Sequence, residues 1–149
     1  MLTQSVSPKT AVRTHQRFVI SGQTKPYHLE SITEPIPEPA AGQVRVRVLA
    51  AGVAFADVLA RKGMYPGAPR NPFTPGYDIV GIIDKIGSNV NDLTIGQIVA
   101  AILPKFGGYA EAVCLPARLA VPVPDGVEPV RAVSVILNYL TAYRMLHIN

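Results

Sequence analysis

The chain reads as a mainly β domain, a small, twisted and partly open barrel with one short helix and a longer C-terminal helix. Three observations predict this. Short stretches in which apolar and polar residues alternate recur along the chain, which is the period of a strand. Fourteen prolines and twelve glycines are spread between those stretches rather than massed, as turns between short strands require. Only residues 128–148 repeat their apolar positions at the spacing of a helix face. With 48% hydrophobic and 16% charged residues, the chain has enough apolar material for a core and the opposite of a disordered composition.

The elements follow in order. Residues 1–15 are basic and free of acids and lack the apolar h-region of a secretory signal, so a flexible leader is expected. The barrel is expected over 16–125. Stretches 16–20 and 27–33 alternate, as in a hairpin with Ser21-Gly22 in its connection. EPIPEPAAG (34–42) is a proline-rich connector, unsuited to a helix or a central strand. In VRVRV (44–48) the strict alternation sends the valines to the core and the arginines to water. The wholly apolar LAAGVAF after it suggests that the strand's end runs into the interior.

ADVLARK (56–62) is a short helical turn closed by Gly63, with basic residues at the end the helix dipole prefers. Residues 64–75 form a loop stiffened by four prolines. GYDIVGIIDKI (76–86) is a buried strand, in which Gly76 and Gly81 mark bends or close backbone approach. Residues 87–89 make a turn. Stretches 97–103 and 108–115 are strands around Lys105-Phe106-Gly107-Gly108, read as a hairpin turn. A terminal helix over 126–149 completes the order, with Asp125 placed to cap its start.

Several function classes are excluded. One cysteine allows no internal disulfide framework and fits a reducing compartment, and Cys114 itself reads as a small core hydrophobe. The net charge of +4 comes from scattered basic residues, not the clustered face that nucleic acid needs. No apolar run approaches the roughly 20 residues of a membrane span, so the expected compartment is the cytoplasm. His15, His28 and His147 are isolated from one another, as surface residues are.

Three stretches in fixed order then carry a resemblance: VRVLAAGVAFADVLARKGMYP (46–66), PFTPGYDIVGIIDKIGSNV (72–90) and ILNYLTAYRML (136–146). With GQIVAAI and GGYAEAV between the last two, the chain resembles the N-terminal part of the medium-chain dehydrogenase/reductase superfamily. The nearest branch is the zinc-independent quinone oxidoreductases, with vesicle-amine-transport-like reductases as close relatives. The fold this implies is the family's GroES-like barrel. Zinc-dependent relatives supply a Cys and a His-Glu pair at positions held here by Ala54 and Tyr77-Asp78, and a proton-relaying hydroxyl where this chain has Ala56. The resemblance therefore implies no metal site.

It also implies NADPH as cofactor and hydride transfer to a quinone or activated carbonyl acceptor, with no catalytic side chain assigned. Three residues are candidates for the cofactor side. Tyr65 matches an aromatic bordering the cleft, or packs its own loop. Thr141 matches a threonine that meets the nicotinamide, or bonds its own helix backbone. Phe55 walls the cleft, or packs in the core. Asp57 matches an acid that buttresses a ligand in zinc relatives and orients backbone here. Arg61 and Asn138 read as solvated or structural. Ala54 also stands where many quinone reductases carry Asn, which points to a different acceptor or weaker positioning.

The family places its nucleotide-binding domain after the NYLTAY helix, and these 149 residues contain no G-x-G-x-x-G. The chain alone is therefore expected to be inactive, as part of a reductase for which the resemblance implies a homo-oligomer. A non-enzymatic interaction module built on the same barrel is the alternative. A co-chaperonin-like ring subunit lacks support, because no long Gly-rich mobile loop is evident. An apolar surface is expected on the terminal helix around Val133, Leu137 and Leu140.

Overall fold

The computed structural model describes residues 12–147, so residues 1–11 of the expected leader lie outside the described residues. The element order is β1 (Thr14–Ser21), β2 (His28–Pro35), β3 (Gln43–Ala51), α1 (Phe55–Arg61), β4 (Asp78–Ile86), β5 (Ile98–Ile102), β6 (Ala112–Pro116) and β7 (Val121–Pro122). A helical segment follows as α2 (Pro129–Ser134), a π-helical turn (Val135–Tyr139) and α3 (Leu140–His147). β1 and β2 form the expected antiparallel hairpin, and the second sheet runs β6-β3-β4-β5-β7. The two sheets do not merge into a closed barrel. They are stitched by backbone bonds, from Phe18 N to Tyr109 O at 2.8 Å, Ile20 N to Phe73 O at 2.8 Å and Glu111 N to Gln16 O at 2.9 Å. Val44, Val46, Ile79, Ile83, Val99 and Leu115 form the centre of the main core.

β3 departs from simple alternation. Its pairing with β4 shifts register between Arg45 and Val46 and again between Val48 and Ala50. Val44 and Val46 are buried as expected, and Arg47 is exposed. Arg45, expected to face water, is only 4% exposed. The proline-rich connector accounts for this by folding over the strand's outer face. Arg45 Nη1 donates to Pro37 O at 3.0 Å and to Glu38 Oε1 at 3.3 Å, while Nε donates to Asp84 Oδ1 at 2.7 Å. Lys85 joins the same cluster through Glu38. A buried guanidinium is tolerable only with such partners. The second correction lies at the strand's end. The second bulge leaves Leu49 exposed, and Val53 and Phe55 are 74% and 75% exposed, so LAAGVAF does not run into the interior.

The segment between β5 and β6 is not a hairpin. β5 pairs with β4 and β7, and β6 pairs with β3. Residues 103–111 instead cross the start of β4: Leu103 N donates to Tyr77 O at 2.6 Å, Gly108 N to Gly76 O at 3.1 Å and Tyr109 N to Pro75 O at 2.9 Å. Those bonds take the backbone groups a hairpin would use, and β6 begins only at Ala112. Gly76 makes the crossing possible. Its φ is +97°, and a Cβ there would stand 2.6 Å from the Tyr109 ring.

Asp125 does not cap the terminal helix. Glu128 occupies the cap position without a side-chain bond, and Pro129 opens α2, where a missing N–H costs nothing. Val133 is not exposed, because it and Ala132 pack against Val80 and Ala100 on the outer face of the sheet. Beyond the π turn every described residue of α3 is exposed, including Leu140, Tyr143, Met145 and Leu146. His15 is likewise buried rather than on the surface. It lies opposite Glu34 in the hairpin register, with Nε2 3.4 Å from Oε1 of a carboxylate that also holds Arg17 Nε at 2.8 Å.

The Arg45 cluster sets an order of costs. D84A, which strips the shortest partner from a buried guanidinium, should lower stability in urea unfolding by about 2–3 kcal/mol. E38A, at an exposed carboxylate, should cost clearly less. Equal losses would contradict this arrangement.

Candidate functional site

Chain direction changes sharply after β3. Ala54 is extended (φ −102°, ψ 157°), and α1 starts at Phe55. That places Asp57 in the first turn, where free N–H groups and the helix dipole favour a carboxylate. Asp57 is 6% exposed, and its bonds reach three separate segments. Oδ2 accepts from Ala54 N at 2.9 Å, Oδ1 accepts from Gly76 N at 2.8 Å, and Tyr109 Oη donates to Oδ2 at 3.1 Å. One carboxylate thus ties the start of α1, the approach to β4 and the crossing segment together. Burial, followed by the charge of Asp57, pushes the Tyr109 phenol up, which keeps it a donor.

Asp78 lies close by on different terms. It is 1% exposed, and neither carboxylate oxygen has a hydrogen-bond partner among the described residues. The group is pressed onto Gly52, where a Cβ would fall 2.4 Å from both oxygens, so only glycine fits beneath it. Burial first, and then the charge of Asp57, raise its pKa to about 6.

An aromatic cluster borders these acids. The ring of Tyr77 lies 4.2 Å from that of Phe106, which also meets Tyr65 at 5.9 Å and Phe73 at 5.3 Å edge-on. The hydroxyls of Tyr77 and Tyr65 share a hydrogen bond at 3.1 Å. Burial, with a contribution from the Tyr65 bond, pushes the Tyr77 pKa up to about 12.

Two clefts of about 530 and 270 Å³ share Leu29, Val53 and Tyr109. The larger is walled by Phe18, Leu49 and Ala51 with Glu111, and the smaller by Val58, Asp57 and Arg61. Phe55, Tyr65 and Thr141 line neither. Tyr65 is half-buried in the aromatic cluster, and Phe55 stands exposed at the first position of α1. Thr141 lies on exposed α3, where its hydroxyl makes no hydrogen bond among the described residues. The structure joins Tyr65 to Tyr77 and does not bring Thr141 to them. Arg61 donates to Tyr27 O at 3.3 Å, and Asn138 is exposed on the π turn. Cys114 is half-buried, and burial pushes its thiol up.

Sequence reasoning weighed Tyr77 only as a failed metal ligand and passed over Tyr109. The signal for Tyr109 was its place directly after Gly107-Gly108, opposite Thr74-Pro75-Gly76. Among the described residues no group of three or more His, Cys, Asp or Glu is placed to hold a metal, and no helix is long and apolar enough to cross a membrane.

The alcohol dehydrogenase GroES-like domain family matches residues 40–125. The synaptic vesicle membrane protein VAT-1 homolog-like of Mus musculus is 34% identical over 111 residues, which are 74% of this chain and 26% of that protein. Among solved structures, the human VAT-1 homolog-like protein superposes with a TM-score of 0.83 at 30% identity, covering 91% of this chain and 43% of that one. The quinone oxidoreductase of Escherichia coli, complexed with NADPH, gives 0.81 at 27% identity over 89% of this chain and 40% of that one. The chain spans about a quarter of the length of its VAT-1-like curated relatives.

The buried Asp78 carries a pH signature. Its folded-state pKa of about 6 lies above the ordinary 3.8, so between those values the folded chain keeps a proton that the unfolded chain gives up. This group therefore makes stability fall as pH rises from about 4 to 6. D78N should remove that fall, melting higher than the native chain at pH 8 and at the same temperature at pH 3.5. A constant difference at all pH values would contradict a buried, unpartnered carboxylate.

Proposed function

The chain belongs to the alcohol dehydrogenase GroES-like domain family, and from that premise we propose that it forms the substrate-side wall of a zinc-free, NADPH-dependent oxidoreductase acting on a quinone or an activated carbonyl compound. The observation that supports this most is the pair of residues standing where zinc relatives supply ligands. Ala54 is buried and has no ligand atom, and Tyr77 is a phenol already bonded to Tyr65. The NADPH in the E. coli quinone oxidoreductase supports the cofactor.

This reading assigns three residues to the nicotinamide side. Phe55 offers an exposed ring, Tyr65 a half-buried one, and the hydroxyl of Thr141 is uncommitted among the described residues. When bound, the reduced nicotinamide supplies the hydride. This chain's part is orientation and exclusion of water. Asp57, its oxygens taken up by three donors, fixes the backbone around Ala54 and takes no part in proton transfer. In this reading the Tyr77–Phe106–Tyr65 cluster supplies packed rings on the acceptor's side. The aqueous cytoplasm is the compartment this chemistry suits. A glycine-rich turn for the pyrophosphate does not occur in these 149 residues, so the cofactor's phosphates must be held elsewhere.

The test is NADPH oxidation, with 1,2-naphthoquinone as acceptor, by this chain joined to the nucleotide-binding domain of a family relative. Saturable turnover that withstands a strong zinc chelator is expected, and the 149-residue chain alone should show none. Loss of activity on chelation, with recovery on adding zinc, would contradict the zinc-free reading.

A further inference from the structure

We infer that the outer edge of β2 is an interface for a second copy of this chain, the two β2 strands pairing antiparallel about a two-fold axis at Ser31. The inference does not draw on the reductase reading.

β1 and β2 form a two-stranded sheet, so β2 has one strand neighbour among the described residues. Along a strand of an antiparallel ladder, successive residues turn their N–H and C=O groups to alternate sides. β1 fixes which side is which. Its Gln16, Phe18 and Ile20 bond away from β2, to Glu111, Tyr109 and Phe73. His15, Arg17 and Val19 therefore bond Glu34, Ile32 and Glu30. The outer side of β2 is left with the backbone of Leu29, Ser31 and Thr33, all three exposed. None of these backbone groups has a partner among the described residues. An uncovered strand edge of this kind is a template for another strand.

Charge and Pro35 select the register. Pairing about Ser31 sets Leu29 opposite Thr33 of the second copy and Ser31 opposite its equivalent, so every outward N–H meets a carbonyl. It also sets His28 opposite Glu34 of the second copy, where an imidazole N–H can donate to a carboxylate, and Glu30 opposite Ile32. No acid then stands directly opposite another. The smallest slide that keeps outward groups facing each other is two residues. One way, it brings Glu30 against Glu30; the other way, it brings Glu30 against Glu34 and Leu29 against Pro35, which has no N–H. Tyr27 cannot lengthen the pairing, because Arg61 already takes its N–H and its carbonyl. A two-fold pairing uses the same edge on both copies and therefore closes. Leu29 lines both clefts, so the second copy stands at their rim.

The contact is small, and the dimer is expected only at high concentration. The test is sedimentation velocity of the chain from about 10 μM to about 1 mM, with residue-resolved amide exchange at both ends of that range. Monomer should give way to dimer, with protection gained at Leu29, Ser31 and Thr33. S31P removes one outward N–H from each copy and leaves the bonds to β1. It should weaken association about tenfold to thirtyfold, the scale of two hydrogen bonds. S31A keeps the backbone and should associate like the native chain. H28E sets an acid opposite Glu34 without altering the backbone and should weaken association severalfold. That variant decides the matter if S31P costs the hairpin its own protection at Val19. A monomer at the highest concentration, association that S31P and H28E leave unchanged, or protection gained on α3 instead of β2 would overturn the inference.

Discussion

The arrangement of the site depends on the Asp57 carboxylate. Ala54, Gly76 and Tyr109 come from three segments, of which only the last two also bond each other through the backbone at that point, and each donates to it. A buried carboxylate is costly unless its lone pairs are met, and here two backbone N–H groups and a phenol meet them. The consequence reaches beyond the acid. The N–H of Ala54 fixes where α1 begins, which sets Phe55 outward. The N–H of Gly76 fixes the approach to Tyr77, and Tyr109 anchors the crossing segment that joins β1 to the larger sheet.

Close backbone packing makes the clamp possible and also constrains it. Gly76 lets the crossing segment touch the start of β4, and Gly52 lets Asp78 sit flat beneath the same loop. Two buried acids from different elements therefore share this region, one fully bonded and the other without partners among the described residues. Their mutual repulsion contributes to the raised pKa of Asp78. The stability given up there fits a site in which placement takes precedence over local comfort. The same holds for Phe106 and its left-handed backbone.

Much of the fold was legible in the sequence because strands, turns and helix starts are written in local patterns. The hairpin of β1 and β2, α1 with its Gly63 stop, and β4 with its close glycines follow from periodicity and turn chemistry. What could not be read was long-range. Arg45 looked solvent-facing because alternation ignores the proline connector that folds over it. The Lys105–Gly108 turn looked like a hairpin because local chemistry does not reveal that residues 103–111 bond to the start of β4. Asp125 looked like a cap because Pro129 as a helix opener carries equal local weight. At the site, resemblance picked out Tyr65, Phe55 and Thr141 singly, but the Tyr65–Tyr77 bond and the reach of Asp57 to Tyr109 join positions far apart in the chain.

Amide hydrogen exchange at single residues tests the role of Asp57 most directly, comparing the native chain with D57N. Asparagine keeps the size of the side chain but turns one acceptor into a donor, setting it against an N–H. Selective loss of protection at Ala54 and Gly76 is expected, with Ile79, Val80 and Ile83 in β4 remaining protected. Unchanged protection at Ala54 and Gly76, or a uniform loss across β3 and β4, would show that the carboxylate is not what holds these segments together.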